Sequence, residues 1–383
     1  MHIALLTYHF LPRIGGVEIA VHHLARALTE LGVEVSVVVP RQPLGVEVPY
    51  RIVPLPSWRG VPRALRAWAA LARLHRHRPY ELLHAQMLYP AGYDACRFGR
   101  WMRVPVVVTP QGADIHLYEP LGYGLRLSRR VERRIQSTVR RAAALTVSSR
   151  LMQRELAVLA PEAAQRAFFL PNGTHLQRFQ GWDREALRRA FGVSAEEVVF
   201  LTVSRLSPVK GLVVLLRAAA HLFQHYPRGW RLWVAGVGTD ALRSGQVPAP
   251  VELLGEIPLE HDEHGVPLQP PEALVRRFVA ADVYVAPALS GGFELSCADA
   301  LAAGLPLVIC HTNGAQDLVE DFGAGLVVPP ADERALAAAL QRMLQDREGR
   351  YQMRCNALRA AQGLDWSVLA RRCLELYRSL LSP

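Results

Sequence analysis

The chain has 383 residues, half of them hydrophobic and a fifth charged, which is ordinary globular composition but exceeds the usual size of a single hydrophobic core. The formal net charge of +10 at pH 7 suits an anionic partner: nucleic acid, a phosphorylated metabolite or an anionic membrane surface. Its five scattered cysteines and its lack of long apolar runs exclude a disulfide framework, a zinc site and a membrane span.

The first half of the chain alternates short apolar runs with longer helical patterns, which is typical of a parallel sheet covered on both faces. No basic segment precedes the first apolar run, so this run predicts a β-strand instead of a signal peptide, and we expect a cytoplasmic protein. The next segment has the spacing of an amphipathic helix. The predicted strands are Ile3–Tyr8, Val33–Val39, Glu81–Ala85, Val104–Thr109, Ala143–Val147 and Phe168–Pro171.

The second half repeats this β-α rhythm, and its predicted strands are Val198–Val203, Trp230–Ala235, Val251–Leu254, Val283–Ala286, Leu307–Ile309 and Leu326–Val328. The polar segment 172–193 predicts the connection between the halves, and a final amphipathic helix begins near Trp366. We therefore expect an α/β fold of two facing Rossmann-like domains, with ligands at the carboxyl ends of the strands in a cleft between them. The predicted boundaries are 1–175 and 190–365, with a helix at 366–383 packing back on the first domain.

A glycine pair, Gly15 and Gly16, follows the first strand and directly precedes the first helix. Glycines here let a ligand approach the backbone and expose the amides of a helix N-terminus to an anion. The pair is not the G-x-G-x-x-G fingerprint, so NAD binding gains no support. An ordinary loop pair is the alternative interpretation.

Lys210 is the only lysine of the chain. It lies in a turn between a strand-like run and a helix-like run, five residues after Arg205. Lysine is a compact point charge on a flexible stem, whereas arginine is a planar fork. Two cations beside the amides of a helix N-terminus suit a diphosphate leaving group. The alternative is a pair of solvated surface charges, but the sparing use of lysine favours the diphosphate clamp.

A Gly-rich turn at Gly291 and Gly292 leads into an Ala-rich helix with one interior acid, Asp299. Aspartate is unfavourable inside a helix and is rarely buried without a partner. If Asp299 faces the cleft, it would accept hydrogen bonds from a ribose diol. The alternative is that it points to solvent or pairs with a nearby arginine.

These features belong to a series of motifs that occur in a fixed order over most of the chain. The series consists of the glycine pair with Val17 and Glu18, Thr109–Asp114, Leu170–Gly173, Val203–Gly211, Leu254–Ile257, Gly292–Leu295, Asp299–Gly304, Asn313–Ala315 and Gly325–Asp332. Each motif is weak alone, but together they resemble the retaining glycosyltransferases of family four, which share the GT-B fold.

The resemblance implies a hexosyltransferase that moves a sugar from a nucleotide-sugar donor to a hydroxyl of a saccharide or lipid-linked acceptor, with retention of configuration. No metal or other cofactor is implied. Front-face attack, in which the leaving phosphate helps deprotonate the acceptor, would leave most of the catalysis to electrostatics. The implied catalytic residues are Arg205, Lys210 and Gln111. The implied donor-binding residues are Gly15, Gly16, Ile257 (base), Gly292, Phe293, Glu294, Leu295 and Asp299 (ribose).

The sequence departs from the family pattern at the site itself. Where the family has E-x-F-G-L-x-x-x-E, this chain has Gly291 at the first glutamate, Glu294 at the glycine and Asp299 at the second glutamate. A carboxylate at 294 repels a diphosphate unless it turns away, pairs with an arginine or contacts sugar hydroxyls. Gln111 replaces a histidine of T-x-H-G-x-D and cannot titrate. An altered donor preference is the first explanation, and a weakly active or inactive homologue that binds nucleotide or glycan is the second.

Two arginine-rich stretches lie in the first half: Trp58–Arg78, which contains two tryptophans, and Arg126–Arg141. Basic helices with tryptophan suit peripheral docking on an anionic membrane, here its inner face. Sheet-covering helices with solvated arginines are the alternative, which we favour slightly. No nucleic-acid partner is expected, because no aromatic-interleaved motif accompanies the charge.

Overall fold

The chain forms two compact units in the computed structural model, which describes residues 1–12, 15–244, 248 and 250–382. The first unit comprises Met1–Pro171, His261–Pro267 and Trp366–Pro383. The second comprises Asn172–Glu260 and Leu268–Asp365. Each unit is an α/β structure on its own parallel sheet, which confirms the predicted fold class of two Rossmann-like domains.

The first unit contains the strands β1 (His2–Leu6), β2 (Glu34–Val39), β3 (Arg51–Pro54), β4 (Leu82–Gln86), β5 (Val106–Thr109), β6 (Ala144–Val147) and β7 (Ala167–Phe169). They pair in parallel in the order β3-β2-β1-β4-β5-β6-β7. Every residue of β1 is buried, as expected for a parallel strand covered on both faces. The helices between the strands are α1 (Gly16–Glu30), α2 (Arg63–His77), α3 (Tyr93–Met102), α4 (Arg129–Arg141) and α5 (Arg150–Leu159).

The second unit contains β8 (Val198–Val203), β9 (Trp230–Ala235), β10 (Val251–Gly255), β11 (Val283–Ala286), β12 (Leu307–Cys310) and β13 (Gly325–Val328). They form a parallel sheet in the order β10-β9-β8-β11-β12-β13. Its helices are α6 (Arg184–Ala190), α7 (Leu212–His225), α8 (Glu272–Ala280), α9 (Leu295–Ala302), α10 (Gln316–Phe322), α11 (Glu333–Gln345) and α12 (Arg347–Ala361).

The predicted C-terminal helix is α13 (Trp366–Leu381), and it belongs to the first unit. It packs against α1, where the rings of His23 and Trp366 lie 5.5 Å apart. Arg372 Nη2 also donates to the carbonyl oxygen of Phe169 at 2.8 Å, beside the last strand of the first sheet. The helix is thus anchored at two places in the first unit.

Every strand predicted from an apolar run is present, with ends shifted by no more than about two residues. The sequence analysis missed β3, which pairs with β2 at the edge of the sheet. Its four residues are exposed or half-buried and end in a proline. An edge strand of this kind buries too little surface to require an apolar run.

Residues 176–189, which the sequence analysis left between the two domains, belong to the second unit. Arg188 on α6 is only 3 % exposed, and it donates to Asp282 Oδ2 at 2.8 Å and to the carbonyl oxygen of Ala280 at 3.1 Å. Arg184 donates to the other oxygen of Asp282 at 2.6 Å. This polar segment is therefore fixed by partly buried ion pairs, which a hydrophobic pattern does not reveal.

Candidate active site

The loops that carry the predicted donor-binding residues leave the same edge of the second sheet. Lys210 follows β8, Ile257 follows β10 and Glu294 follows β11. Since these strands are parallel, their carboxyl ends lie together. The strand order reverses between β8 and β11, and such a switch point is where open α/β sheets bind ligands. Lys210 and Glu294 flank this point.

The turn that carries Lys210 is held against the loop that follows β11. Gly211, with φ of +68°, is the N-cap of α7, and a Cβ at this position would overlap the carbonyl oxygen of Pro287. Only glycine fits both the left-handed backbone and this close approach. Close to this contact, the backbone amide of Leu289 donates to the carbonyl oxygen of Val209 at 2.8 Å. The two loops therefore have a fixed relative position.

Glu294 forms an ion pair with Lys210, the lysine of the predicted diphosphate clamp. The two side chains are 14 % and 22 % exposed, respectively. Among the alternatives for this carboxylate, pairing is the one that occurs, although its partner is the lysine and not an arginine. Arg205, the other predicted member of the clamp, is exposed.

Asn313 fixes the other oxygen of Glu294 and is a residue to which the sequence analysis assigned no role. Its side chain is 1 % exposed, and its Oδ1 accepts a hydrogen bond from the amide of Ala315 at 2.8 Å. The amide nitrogen consequently points at Glu294 and donates to Oε2 at 3.2 Å. The only sequence signal for this residue is its place in the motif Asn313–Ala315.

The Lys210–Glu294 pair changes the electrostatics of the clamp. A lone ammonium would present a full positive charge to a diphosphate, whereas the ion pair has no net charge. An anion that bound Lys210 would therefore have to share it with Glu294 or displace that carboxylate. The hydrogen bond from Asn313 would remain on Glu294 if Lys210 turned away, which would lower the cost of such an exchange.

Asp299, the predicted ribose contact, lies on α9 and accepts a hydrogen bond from Thr174 Oγ1 at 2.7 Å. Burial raises the pKa of this carboxyl from 3.8 to about 7, although the Thr174 hydrogen bond and the charge of Arg178 act in the opposite direction. Asp299 therefore exchanges between its protonated and ionised forms near neutral pH. Neither of the simple alternatives, a solvated acid or a direct arginine ion pair, describes it.

The remaining predicted donor contacts lie in the same loops. The Phe293 side chain is 4 % exposed and packs in the core, while its carbonyl oxygen accepts from Asn172 Nδ2 at 2.7 Å. Gly292 and Leu295 on either side are half-buried. Ile257 is also half-buried and packs against the same core. Phe293 thus positions the loop, and its ring is not available to a ligand.

The glycine pair of the first unit lies at the N-terminus of α1, after residues 13 and 14, which are outside the described residues. Gly15 is the extended N-cap, and a Cβ there would lie 2.6 Å from Oε2 of the buried Glu18. In the described part of the chain, no atom lies within 4 Å of the corresponding position on Gly16. Gly15 thus makes room for a carboxylate that complements the helix dipole, and Gly16 is exposed beside it.

Gln111, in the first unit, is held in a loop organised by Asp114. The backbone amide of Gln111 donates to Asp114 Oδ1 at 2.9 Å, and the amide of Leu88 donates to Oδ2 at 2.6 Å. Burial raises the pKa of Asp114, while these hydrogen bonds lower it. The side chain of Gln111 donates through Nε2 to Gln86 Oε1 at 2.7 Å. Gln86 is the last residue of β4, and Gln111 follows the neighbouring strand β5. Both residues therefore lie at the carboxyl ends of the strands of the first sheet.

The arginine-rich surface of the first unit is less uniform than the sequence indicates. Trp58 is 51 % exposed and borders a groove of about 850 Å³ with Arg41, Arg59 and Arg66. The second tryptophan of the stretch, Trp68, instead packs inward and donates to a backbone carbonyl at 3.0 Å. None of the helices in the described ranges has the length and apolarity needed to cross a bilayer. Across those same ranges, no cluster of three His, Cys, Asp or Glu side chains is arranged to hold a metal.

Known protein families match both units. Residues 183–360 match the family described as "Glycosyl transferases group 1", and residues 14–178 match "Glycosyltransferase Family 4". A D-inositol 3-phosphate glycosyltransferase from Kineococcus radiotolerans is 31 % identical, with 98 % of this chain and 94 % of the relative covered.

Solved structures of glycosyltransferases are similar over nearly the full chain. Sucrose-phosphate synthase from Thermosynechococcus elongatus gives a TM-score of 0.77 at 23 % identity, with 99 % of this chain and 98 % of that chain covered. HepE from Anabaena gives 0.78 in its complex with UDP and 0.76 in its complex with UDP-glucose, at 18 % and 19 % identity. In both cases 99 % of this chain and 100 % of that chain are covered. At these identities the likeness concerns the fold.

Proposed function

The chain belongs to the family-four glycosyltransferases with the GT-B fold, enzymes that transfer a sugar from a nucleotide-sugar donor, and we propose that it is a retaining, metal-independent hexosyltransferase. The observation that carries this proposal is the position of Lys210 and Glu294 at the switch point of the second sheet. A cation at this point would stabilise the charge of a departing diphosphate, and a carboxylate beside it would accept hydrogen bonds from sugar hydroxyls.

In the proposed reaction the acceptor hydroxyl oxygen attacks C1 of the donor sugar on the face that the diphosphate leaves. The bond between C1 and the phosphate oxygen breaks, and its electron pair stays on the diphosphate. That oxygen takes the proton of the acceptor hydroxyl, so no protein base is needed. Lys210 and Arg205 stabilise the negative charge that builds on the leaving group.

Glu294 gives the proposed site its specificity. When the diphosphate engages Lys210, Glu294 remains hydrogen-bonded to Asn313, which is fixed in turn by Ala315. It then accepts hydrogen bonds from donor-sugar hydroxyls in place of the glutamate that is absent at Gly291. Because this carboxylate is at position 294 and not at 291, it would bind different sugar hydroxyls from those bound by the family's glutamate. We therefore expect a changed donor preference.

A second candidate function is favoured by the same ion pair. Because Glu294 already neutralises Lys210, a homologue that binds nucleotide or glycan with little turnover would have this arrangement. The two functions differ in one measurable respect. The enzyme releases nucleoside diphosphate from a nucleotide sugar with time, whereas the binding protein releases none.

We further propose an anionic, saccharide or lipid-linked acceptor bound by the first unit of a cytoplasmic enzyme that contacts the inner membrane face. The exposed Trp58 and the neighbouring arginines support this placement, and relatives are named after an inositol phosphate. Flotation with vesicles containing anionic lipid tests it. We expect wild type to float with the vesicles and Trp58→Ser to float less. Both proteins keep the inward-packed Trp68, so the difference reports on Trp58 alone. Equal flotation of both proteins, or binding to neutral vesicles as well, contradicts it.

The proposed reaction is tested with a panel of nucleotide sugars and simple glycosides as acceptors. The anomeric configuration of the product, read from proton NMR couplings, is expected to equal that of the donor. Activity is expected to persist in EDTA. An inverted product contradicts the retaining mechanism, and activity restored only by a divalent cation contradicts metal independence.

A further inference from the structure

A hydrogen-bonded chain of buried side chains leads from Gln111 into the core of the first unit. Gln111 Nε2 donates to Gln86 Oε1 at 2.7 Å, and Gln86 Nε2 lies 3.5 Å from His84 Nε2. His84 Nδ1 lies 2.6 Å from the hydroxyl of Tyr377 on α13. His84 Nε2 also lies 2.7 Å from the hydroxyl of Thr109. None of these inner residues has a role in the reaction described above.

The chemistry of the groups gives this chain one direction. His84 is fully buried, and burial lowers its pKa to about 3, so the imidazole is neutral with one donor and one acceptor nitrogen. The amide nitrogen of Gln86 only donates, whereas the hydroxyls of Thr109 and Tyr377 can donate or accept. We therefore assign Nε2 of His84 as the acceptor, toward which both Gln86 and Thr109 donate, and Nδ1 as the protonated nitrogen. Nδ1 then donates to Tyr377. Gln86 consequently presents its carbonyl oxygen, and not its nitrogen, to Gln111.

We propose that Gln86 is a positioning residue that fixes the amide of Gln111 with its nitrogen toward Gln86 and its carbonyl oxygen free to accept from a substrate hydroxyl. This inference rests on the proposed function for the identity of the ligand. In this orientation the side-chain oxygen of Gln111 is a neutral hydrogen-bond acceptor. A sugar hydroxyl can donate to it, whereas an ionised phosphate or carboxylate cannot. No partner of Gln111 Oε1 occurs within the described ranges.

Kinetics of UDP release from UDP-glucose, a ligand of the similar Anabaena protein, test the coupling. Gln86→Met keeps the length of the side chain and removes both hydrogen bonds, and Gln86→Glu keeps the acceptor for Gln111. We expect Gln86→Met and Gln111→Leu each to lower kcat/KM about tenfold, and the double variant to be no worse than Gln111→Leu alone. Gln86→Glu keeps the acceptor for Gln111 but loses the donor toward His84, so it should retain more activity than Gln86→Met and less than wild type.

Ser36→Ala is the matched control, since Ser36 is fully buried in the same sheet and its hydroxyl lies 3.0 Å from His2 Nε2. It removes a buried hydrogen bond without touching Gln111 and should leave kcat/KM unchanged. Additive losses in the double variant, or a Gln86→Met enzyme equal to wild type beside an impaired Gln111→Leu, overturn the proposal. So does an equal loss in Ser36→Ala.

Nitrogen-15 NMR gives a readout that does not depend on the reaction. We expect the Nδ1–H tautomer of His84, and slow solvent exchange of the Gln111 side-chain amide that becomes fast in Gln86→Met. If wild type releases no nucleoside diphosphate from UDP-glucose or from any other donor of the panel, the proposed function fails and this measurement alone decides the inference. An Nε2–H tautomer, or equal exchange in both proteins, overturns it.

Discussion

Removing the charge of Glu294 should strengthen diphosphate binding at Lys210. Glu294→Gln keeps the size of the side chain but not its negative charge. A phosphate in contact with the Lys210 ammonium lies about 5 Å from a carboxylate on the same group, and the two charges repel by about 3 kcal/mol at an effective dielectric constant of about 20. Because the side chains are 22 % and 14 % exposed, solvent and salt screen part of this repulsion. About 1.5 kcal/mol remains, which corresponds to about tenfold in affinity.

Isothermal titration calorimetry with UDP measures this difference between wild type, Glu294→Gln and the control Glu185→Gln. Glu185 is 64 % exposed on α6 of the same unit, so its substitution removes an equal charge without changing the partner of Lys210. We expect tighter binding for Glu294→Gln alone, with a gain that shrinks as ionic strength rises. Unchanged or weaker binding by Glu294→Gln refutes the reasoning.

Three further substitutions test the support of the site. Gly211→Ala should weaken UDP binding at least about tenfold, because its Cβ would overlap a carbonyl oxygen. Gly192→Ala is the control, since Gly192 has a similar φ of +63° and no neighbour within 4 Å in the described part of the chain. It should cost about 1 kcal/mol of stability and leave the affinity for UDP unchanged. Burial raises the pKa of Asp299 from 3.8 to about 7, so the native state binds an extra proton between these values. Wild type should therefore lose stability relative to Asp299→Asn as pH rises from about 4 to 7, and a constant difference in Tm across this window contradicts the assignment. Arg188→Met should lower the free energy of unfolding by about 3 kcal/mol, because it removes the hydrogen bonds of a buried guanidinium to the partly buried carboxylate of Asp282 and to the carbonyl oxygen of Ala280. The exposed neighbour Arg189→Met should stay within about 0.5 kcal/mol in urea titrations. Equal effects of the two arginine variants would show that the buried pairs are not what anchors α6.

The sequence reveals those parts of the fold that bury apolar surface on both faces. The six residues of β8, for example, form an uninterrupted apolar run apart from Thr202, and its predicted bounds match the structure. The edge strand β3 and the helix α6 escape this reasoning for one reason. Their positions are fixed by edge pairing and by Arg188 with Asp282, and neither contact leaves a periodic pattern.

The site is predictable residue by residue but not pair by pair. Lys210 and Glu294 are 84 residues apart in sequence. The sequence indicates that Glu294 needs a partner, but no local pattern identifies Lys210 as that partner. Asn313 and Gln86 are harder still. Each acts by orienting another side chain, and an amide carries no charge or rarity that would distinguish it before the loops are assembled.

The release of nucleoside diphosphate from a panel of nucleotide sugars tests the central proposal most directly. We predict time-dependent release from at least one donor by wild type, and loss of that release together with UDP binding in a folded Lys210→Met variant. Tight binding of UDP by wild type with no release from any donor and acceptor would contradict the enzyme and leave a nucleotide-binding homologue.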